Sequence, residues 1–186
     1  MRAAPKTRAR MLNMTLGALF GALLVASKEI LAAVPGIELV SLLIIVWTRV
    51  FRTGAVPGIA VFIVLEGALY GFGLWWTMYL YIWYILWAAV MLIPPARHAP
   101  TPKRRVLAAL GWAVLSGAYG LCFGALTAIP YFFRGGPATA FAYWLAGLSY
   151  DAAHGAGNFA AALVLSVPLI GLFTRLRARL FGDAPL

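Results

Sequence analysis

Six apolar runs, most of them close to the length that crosses a bilayer, leave this chain little to become except a bundle of helices in lipid. A hydrocarbon core about 30 Å thick takes about 20 helical residues, and fewer where a helix is short or the bilayer thins. The runs lie at about 12–33, 37–51, 55–73, 76–93, 105–130 and 148–174. Turn chemistry separates them at Val34-Pro35-Gly36, Thr53-Gly54, Gly71-Phe72-Gly73, Pro94-Pro95 and Arg134-Gly135-Gly136-Pro137. With 63% hydrophobic and 11% charged residues, the composition lies outside the range of soluble domains. The expected fold is therefore all-α and integral to the membrane, with residues 1–186 forming one domain of six transmembrane helices. Residues 138–147 fit two roles, the opening of the sixth helix or a short interfacial segment at the outer face.

The basic residues set an orientation. With the N-terminus inside, the inner loops collect Arg2, Lys6, Arg8, Arg10, Arg49, Arg52, Arg97, Lys103, Arg104, Arg105, Arg175, Arg177 and Arg179. Only Lys28 and Arg134 fall outside. Cytoplasmic loops retain positive charge during insertion, so this bias places both termini in the cytoplasm and requires an even number of spans. The net charge of +10 is divided by apolar spans and forms no continuous basic face, which argues against nucleic acid. Cys122, the single cysteine, excludes an internal disulfide and a cysteine-based metal site. No metal or cofactor is expected. The first run is longer than a signal-peptide core and lacks a small-x-small cleavage site, so it is read as a retained helix. No phosphate-binding G-x-x-x-x-G-K-[ST] loop occurs, and ATP-driven work would need another subunit.

Acidic residues follow the opposite logic. Of five, only Asp183 sits in a plainly aqueous tail, whereas Glu29, Glu38, Glu66 and Asp151 lie in or beside apolar runs. A carboxylate in a bilayer costs several kcal/mol unless it is paired, hydrated or facing a cavity, which makes such residues functional candidates. Sorting by depth brings Lys28, Glu29, Glu38, Glu66, Tyr70, Trp75, Trp76, Tyr79, Asp151, His154 and Asn158 to the outer leaflet. The start of the second run at Glu38 is assigned to a pocket rather than to lipid.

Three stripes stand out. Asp151, His154 and Asn158 fall within about 60° on one helical face, offering an acceptor, a titratable ring and an amide. Gly155 and Gly157 beside them admit a ligand or another backbone. The blander reading has Asp151 and His154 satisfying each other while Asn158 caps a neighbouring helix. Trp76, Tyr79, Trp83 and Trp87 share a face of the fourth run. Trp75 and Trp76 divide between interfacial anchor and pocket wall, Trp83 and Trp87 suit packing, and Tyr79 combines a stacking surface with a hydroxyl. On the first run, Gly17, Ala18, Gly21, Ala22 and Ala26 form overlapping small-x-x-x-small pairs, a face on which helices meet closely. Gly67 with Gly71, and Gly117 with Gly120 and Gly124, read as internal contacts.

Taken in order, Ala18-x-x-x-Ala22, the stretch Pro35-Gly36-Ile37-Glu38-Leu39-Val40-Ser41-Leu42-Leu43, Phe62-x-x-x-Glu66-Gly67-x-x-Tyr70-Gly71 and Asp151-x-x-His154-x-x-Gly157-Asn158-Phe159 with Pro168-Leu169 carry a likeness across almost the whole chain. The chain resembles the substrate-binding S component of an energy-coupling factor (ECF) transporter. That resemblance implies six helices and high-affinity capture of a vitamin, precursor or related micronutrient from outside. It also implies assembly with a T transmembrane subunit and two cytoplasmic ATPase subunits, and release of cargo inward by toppling in the lipid bilayer. Ala18, Ala22 and Ala26 would meet the T subunit. Glu38, Glu66, Trp76, Tyr79, Asp151, His154 and Asn158 are the candidate cargo residues, with no catalytic role and hence no enzyme activity expected. The excess of acid over base in this layer favours a neutral or cationic cargo over a polyanion.

Two other classes fit less of the sequence. A stand-alone secondary transporter or a structural membrane subunit could use Glu66, Asp151 and His154 as a proton path. An intramembrane enzyme could pair Ser116 with His154, but Ser116 lacks the G-x-S-x-G context and lies at a different depth.

Overall fold

The computed structural model describes residues 6–34, 36–94 and 101–182, with the side chains of the first helix described from Arg10 onward. The turn residues Pro35 and Pro95, the charges Arg2, Arg97 and Asp183, and the side chains of Lys6 and Arg8 lie outside that description. The elements are α1 Lys6–Leu31, α2 Val40–Phe51, a 3-10 turn Arg52–Ala55, α3 Val56–Tyr70, α4 Leu74–Met91, α5 Pro102–Leu121, α6 Phe123–Thr127 and α7 Ile129–Phe181. The described residues contain no strand. Four stretches of helix are long and apolar enough to cross a membrane, namely Arg10–Leu31, Val40–Tyr70, Leu74–Met91 and Ile129–Phe181. The α5 helix is not among them, having Lys103, Arg104 and Arg105 in its first turn. Helix occupies all six apolar runs, and a turn at Cys122 divides the fifth into α5 and α6.

The bundle is built around α2. All of its 12 residues except Arg49 are buried, as expected of a helix that is apolar on every side. Neighbouring helices meet through small residues. Gly17 and Gly21 of α1 lie against Pro57, Gly58 and Val61 of α3, while Gly117 and Gly120 of α5 lie against Gly155 of α7. At Gly120 an added Cβ would stand 2.8 Å from the Gly155 Cα, a contact between two backbones. Without a hydrophobic drive between helices in lipid, this closeness is what dispersion forces need. Gly71, expected in such a contact, has open space beside it instead and ends α3 at φ 86°.

Contacts at the helix ends fix which termini lie together. The Arg49 guanidinium donates to the Pro94 carbonyl at 2.7 Å, and that of Arg52 to Met91 at 2.7 Å. These cations satisfy carbonyls that a helix C-terminus leaves without partners, so α2 and α4 end side by side. At the opposite end, Lys28 of α1 pairs with Glu66 of α3, and the Tyr70 hydroxyl donates to Glu29 at 2.6 Å.

Residues 138–147 open the sixth helix. In α7 the backbone bends at Gly136, whose φ of 79° is left-handed. Tyr131 and Tyr143 stack across the bend at 3.9 Å, whereas twelve residues of straight helix would hold them about 18 Å apart. Residues 137–181 continue as about 67 Å of helix at 1.5 Å per residue.

Candidate functional site

The buried face of α7 carries Asp151, His154, Asn158, Ala162 and Ser166, one residue per turn. Asp151, His154 and Asn158 are 3%, 2% and 1% exposed, so none can draw on bulk water to satisfy its polar atoms. Asp151 and His154 do not satisfy each other. The Asp151 Oδ1 accepts from the backbone N–H of Gly124 at 2.8 Å, and a side chain on Gly124 would collide with that carboxylate. The His154 Nε2 lies 3.2 Å from Glu38 Oε1. If Nε2 donates from a neutral ring, Nδ1 is left as an acceptor. Asn158 caps no helix, and both of its amide atoms are without partners.

Glu38 reaches His154 because the loop between α1 and α2 lies directly on α7. Gly36, at φ 75°, brings its backbone against Ala153 and the backbone nitrogen of His154, and its carbonyl oxygen would stand 3.1 Å from a Cβ on Gly157. The space left by Gly155 and Gly157 therefore admits backbone, from α5 and from this loop. Glu38 also accepts from the Ser41 N–H at 2.9 Å, which satisfies an open donor in the first turn of α2.

A second polar group lies at the same end of the bundle. Glu66 is fully buried and pairs with Lys28, whose ammonium stands 4.6 Å from the centre of the Tyr70 ring and 6.0 Å from that of Tyr79. Tyr79 links the two groups. Its ring stacks on Phe62 at 5.8 Å and meets Trp75 and Trp83 edge-on. Trp83 meets Phe123, and Phe123 lies 4.8 Å from the His154 ring. The aromatic chain thus runs from the Lys28–Glu66 pair to His154. Trp76 stands apart from it, donating its indole N–H to the Ile63 carbonyl at 2.8 Å and covering Gly67. That is a clamp between α3 and α4.

Several polar atoms along this region are buried without a partner. They include Asp151 Oδ2, His154 Nδ1, Glu66 Oε1, Trp83 Nε1, Ser41 Oγ and Ser116 Oγ, besides both amide atoms of Asn158. A buried unsatisfied group costs about 1–3 kcal/mol, so these atoms are candidates for a partner that the protein itself does not supply. A cleft of about 310 Å³ opens beside α6, lined by Met78, Phe123, Thr127, Tyr143, Tyr150 and Asp151 among others. Of the residues singled out from sequence, Asp151 lines it. Sequence reasoning missed Ser41, Phe123, Gly124, Tyr143 and Tyr150. An acid just ahead of an apolar run signals the Ser41 contact; Gly124 stands out only as one of a series of small residues, and the two tyrosines carry no local signal.

On α1, the two small-residue faces have different neighbours. Gly17 and Gly21 face α3, whereas Ala18, Ala22 and Ala26 are exposed. Among the described residues, no group of three His, Cys, Asp or Glu side chains is placed to hold a metal ion. No family model, curated protein or solved structure matches the chain.

Proposed function

We propose that this chain is the cargo-capture subunit of an ECF-type importer, crossing the plasma membrane six times with both termini cytoplasmic. It holds a vitamin, precursor or related micronutrient in an outward-facing site. The observation that carries this reading is the set of unpaired polar atoms on Asp151, His154 and Asn158, buried at one end of an apolar bundle beside an aromatic wall. A preformed apolar site with a few converging polar groups is how small-molecule pockets obtain both affinity and orientation. The loop bearing Glu38 lies over this site, and Tyr79 is the stacking surface.

Native mass spectrometry of the solitary protein, purified from membranes, tests the reading. Wild type should retain one small molecule per chain. Asn158→Ala and Asp151→Ala should lower that retention by about ten- to a hundredfold, the equivalent of one or two lost hydrogen bonds to a charged or buried group, with unchanged protein in the membrane. Equal retention by both variants would remove α7 from the site, and an empty wild type would remove the carrier.

Energy coupling belongs to the exposed face of α1. Ala18, Ala22 and Ala26 recur every four residues, which allows the backbone of a partner helix to approach. Ala22→Leu should keep cargo retention at the wild-type level and reduce co-purification of the T and ATPase subunits at least about tenfold. Undiminished co-purification would mean that this face meets lipid alone. Uptake that persists without ATPase partners would favour a secondary transporter.

A further inference from the structure

We infer that the cargo is a small organic cation, an amine or a positively charged heteroaromatic, whose charged nitrogen enters the cleft beside α6 and meets Asp151. This rests on the carrier reading and narrows it to one class of molecule. Asp151 is 3% exposed, yet it lines the cleft. Its Oδ1 is held by the Gly124 N–H, and its Oδ2 has no partner. One oxygen is thereby fixed in place while the other is left for an incoming donor.

The surroundings select the sign of the charge. Among the described residues no Lys, Arg or His lines the cleft, and Asp151 is the one carboxylate in its lining. His154, one turn along α7, turns its Nε2 to Glu38, a second carboxylate. Glu66 is engaged by Lys28 at the far side of the aromatic chain. Arg134 is exposed, on the arm that precedes the Gly136 bend. An anion in the cleft would face Asp151 with no compensating cation, whereas a cation would complete an ion pair in a partly desolvated place.

The walls select an organic cation over a metal ion. Phe123, Tyr143 and Tyr150 present ring surfaces, and Met78 a polarisable thioether. Aromatic faces attract ammonium and N-substituted heteroaromatic cations. A metal ion would find one carboxylate and no second acid, His or Cys in the lining, too few ligands for calcium or zinc. The volume of about 310 Å³ lies at the lower end of the range for small-molecule sites.

An ammonium could come from a soluble cargo or from the headgroup of phosphatidylethanolamine, so the test separates them. The protein is placed in nanodiscs made only of phosphatidylglycerol, which carries no amine. Binding of 1-methylnicotinamide, nicotinamide and nicotinate, matched in size and differing in charge, is then measured by equilibrium dialysis. The cation should bind at least about tenfold more tightly than the neutral and anionic compounds, and Asp151→Asn, which keeps the acceptor for Gly124, should abolish that preference. Native mass spectrometry of the protein from cells should show a retained small cation. Nicotinate binding as well as the cation, a preference unchanged in Asp151→Asn, or binding by none of the three probes would overturn the inference. So would retention of phosphatidylethanolamine, lost in Asp151→Asn, in place of a soluble compound. A retained neutral or anionic small molecule would overturn the inference and leave the carrier reading standing. An empty wild type together with no probe binding would end both.

Discussion

Lys28→Met is expected to destabilise the protein by about 3 kcal/mol, because it strands the carboxylate of Glu66 where water cannot reach. Glu66 is fully buried, and among the described residues Lys28 is its one side-chain partner. Glu29, which accepts from the Tyr70 hydroxyl, stands at the same end of the bundle and adds a second negative charge there. Unlike a surface pair, worth about 0–1 kcal/mol, this one has one member inside the bundle. Unfolding in mixed micelles followed by circular dichroism measures the loss. The decisive comparison is Lys28→Met with Glu66→Gln, which should recover most of the stability since no bare charge remains. A single variant as stable as wild type would show that Glu66 is already neutral without Lys28.

Gly120→Leu should be comparably severe, at about 3 kcal/mol or more. A Cβ there would stand 2.8 Å from the Gly155 Cα and 2.9 Å from both the Gly155 N and the His154 carbonyl. All three are backbone atoms, so no rotamer change makes room. The α5 helix must move away from α7, taking the α5–α6 corner with it, and Asp151 would lose its hold on Gly124. Gly111→Leu, on the same helix, is the control. Its Cβ would meet nothing within 4 Å, and the change should stay within about 0.5 kcal/mol. Similar losses in both variants would mean that the α5–α7 contact does not limit stability.

Features governed by local rules were legible in the sequence. Apolar period and length located helix in all six runs, and glycine or proline marked the turn at Gly36, the end of α3 at Gly71 and the bend at Gly136. Alternating direction along the chain then brought Lys28, Glu38, Glu66, Tyr79 and the Asp151 stripe to one end. What the sequence concealed was pairing between helices. Asp151 and His154 sit one turn apart, which left open that they bond to each other. Instead each turns to a different neighbour, Gly124 and Glu38, because rotation about the α7 axis is set by close glycine contacts with α5 and with the α1–α2 loop. Trp76 divided between interfacial anchor and pocket wall, and no local signal showed that its indole N–H reaches a carbonyl of α3. The small residues of α1 read as one face, but a separation of about 100° between adjacent positions sends Gly17 and Gly21 inward and leaves Ala18 and Ala22 outside.

The central position of α2 bears on how the protein is made. Twelve residues span about 18 Å, well short of the roughly 30 Å hydrocarbon layer, and the helix keeps its polar Ser41 and Thr48 away from lipid only through its neighbours. A segment so short is a poor substrate for independent release from the translocon. It should enter together with α3 as a helical hairpin and settle only after α7 has been synthesised. With the substitutions Cys122→Ala and Thr48→Cys, nascent chains stalled before that point should therefore react at α2 with water-borne cysteine reagents, and full-length chains should shield it.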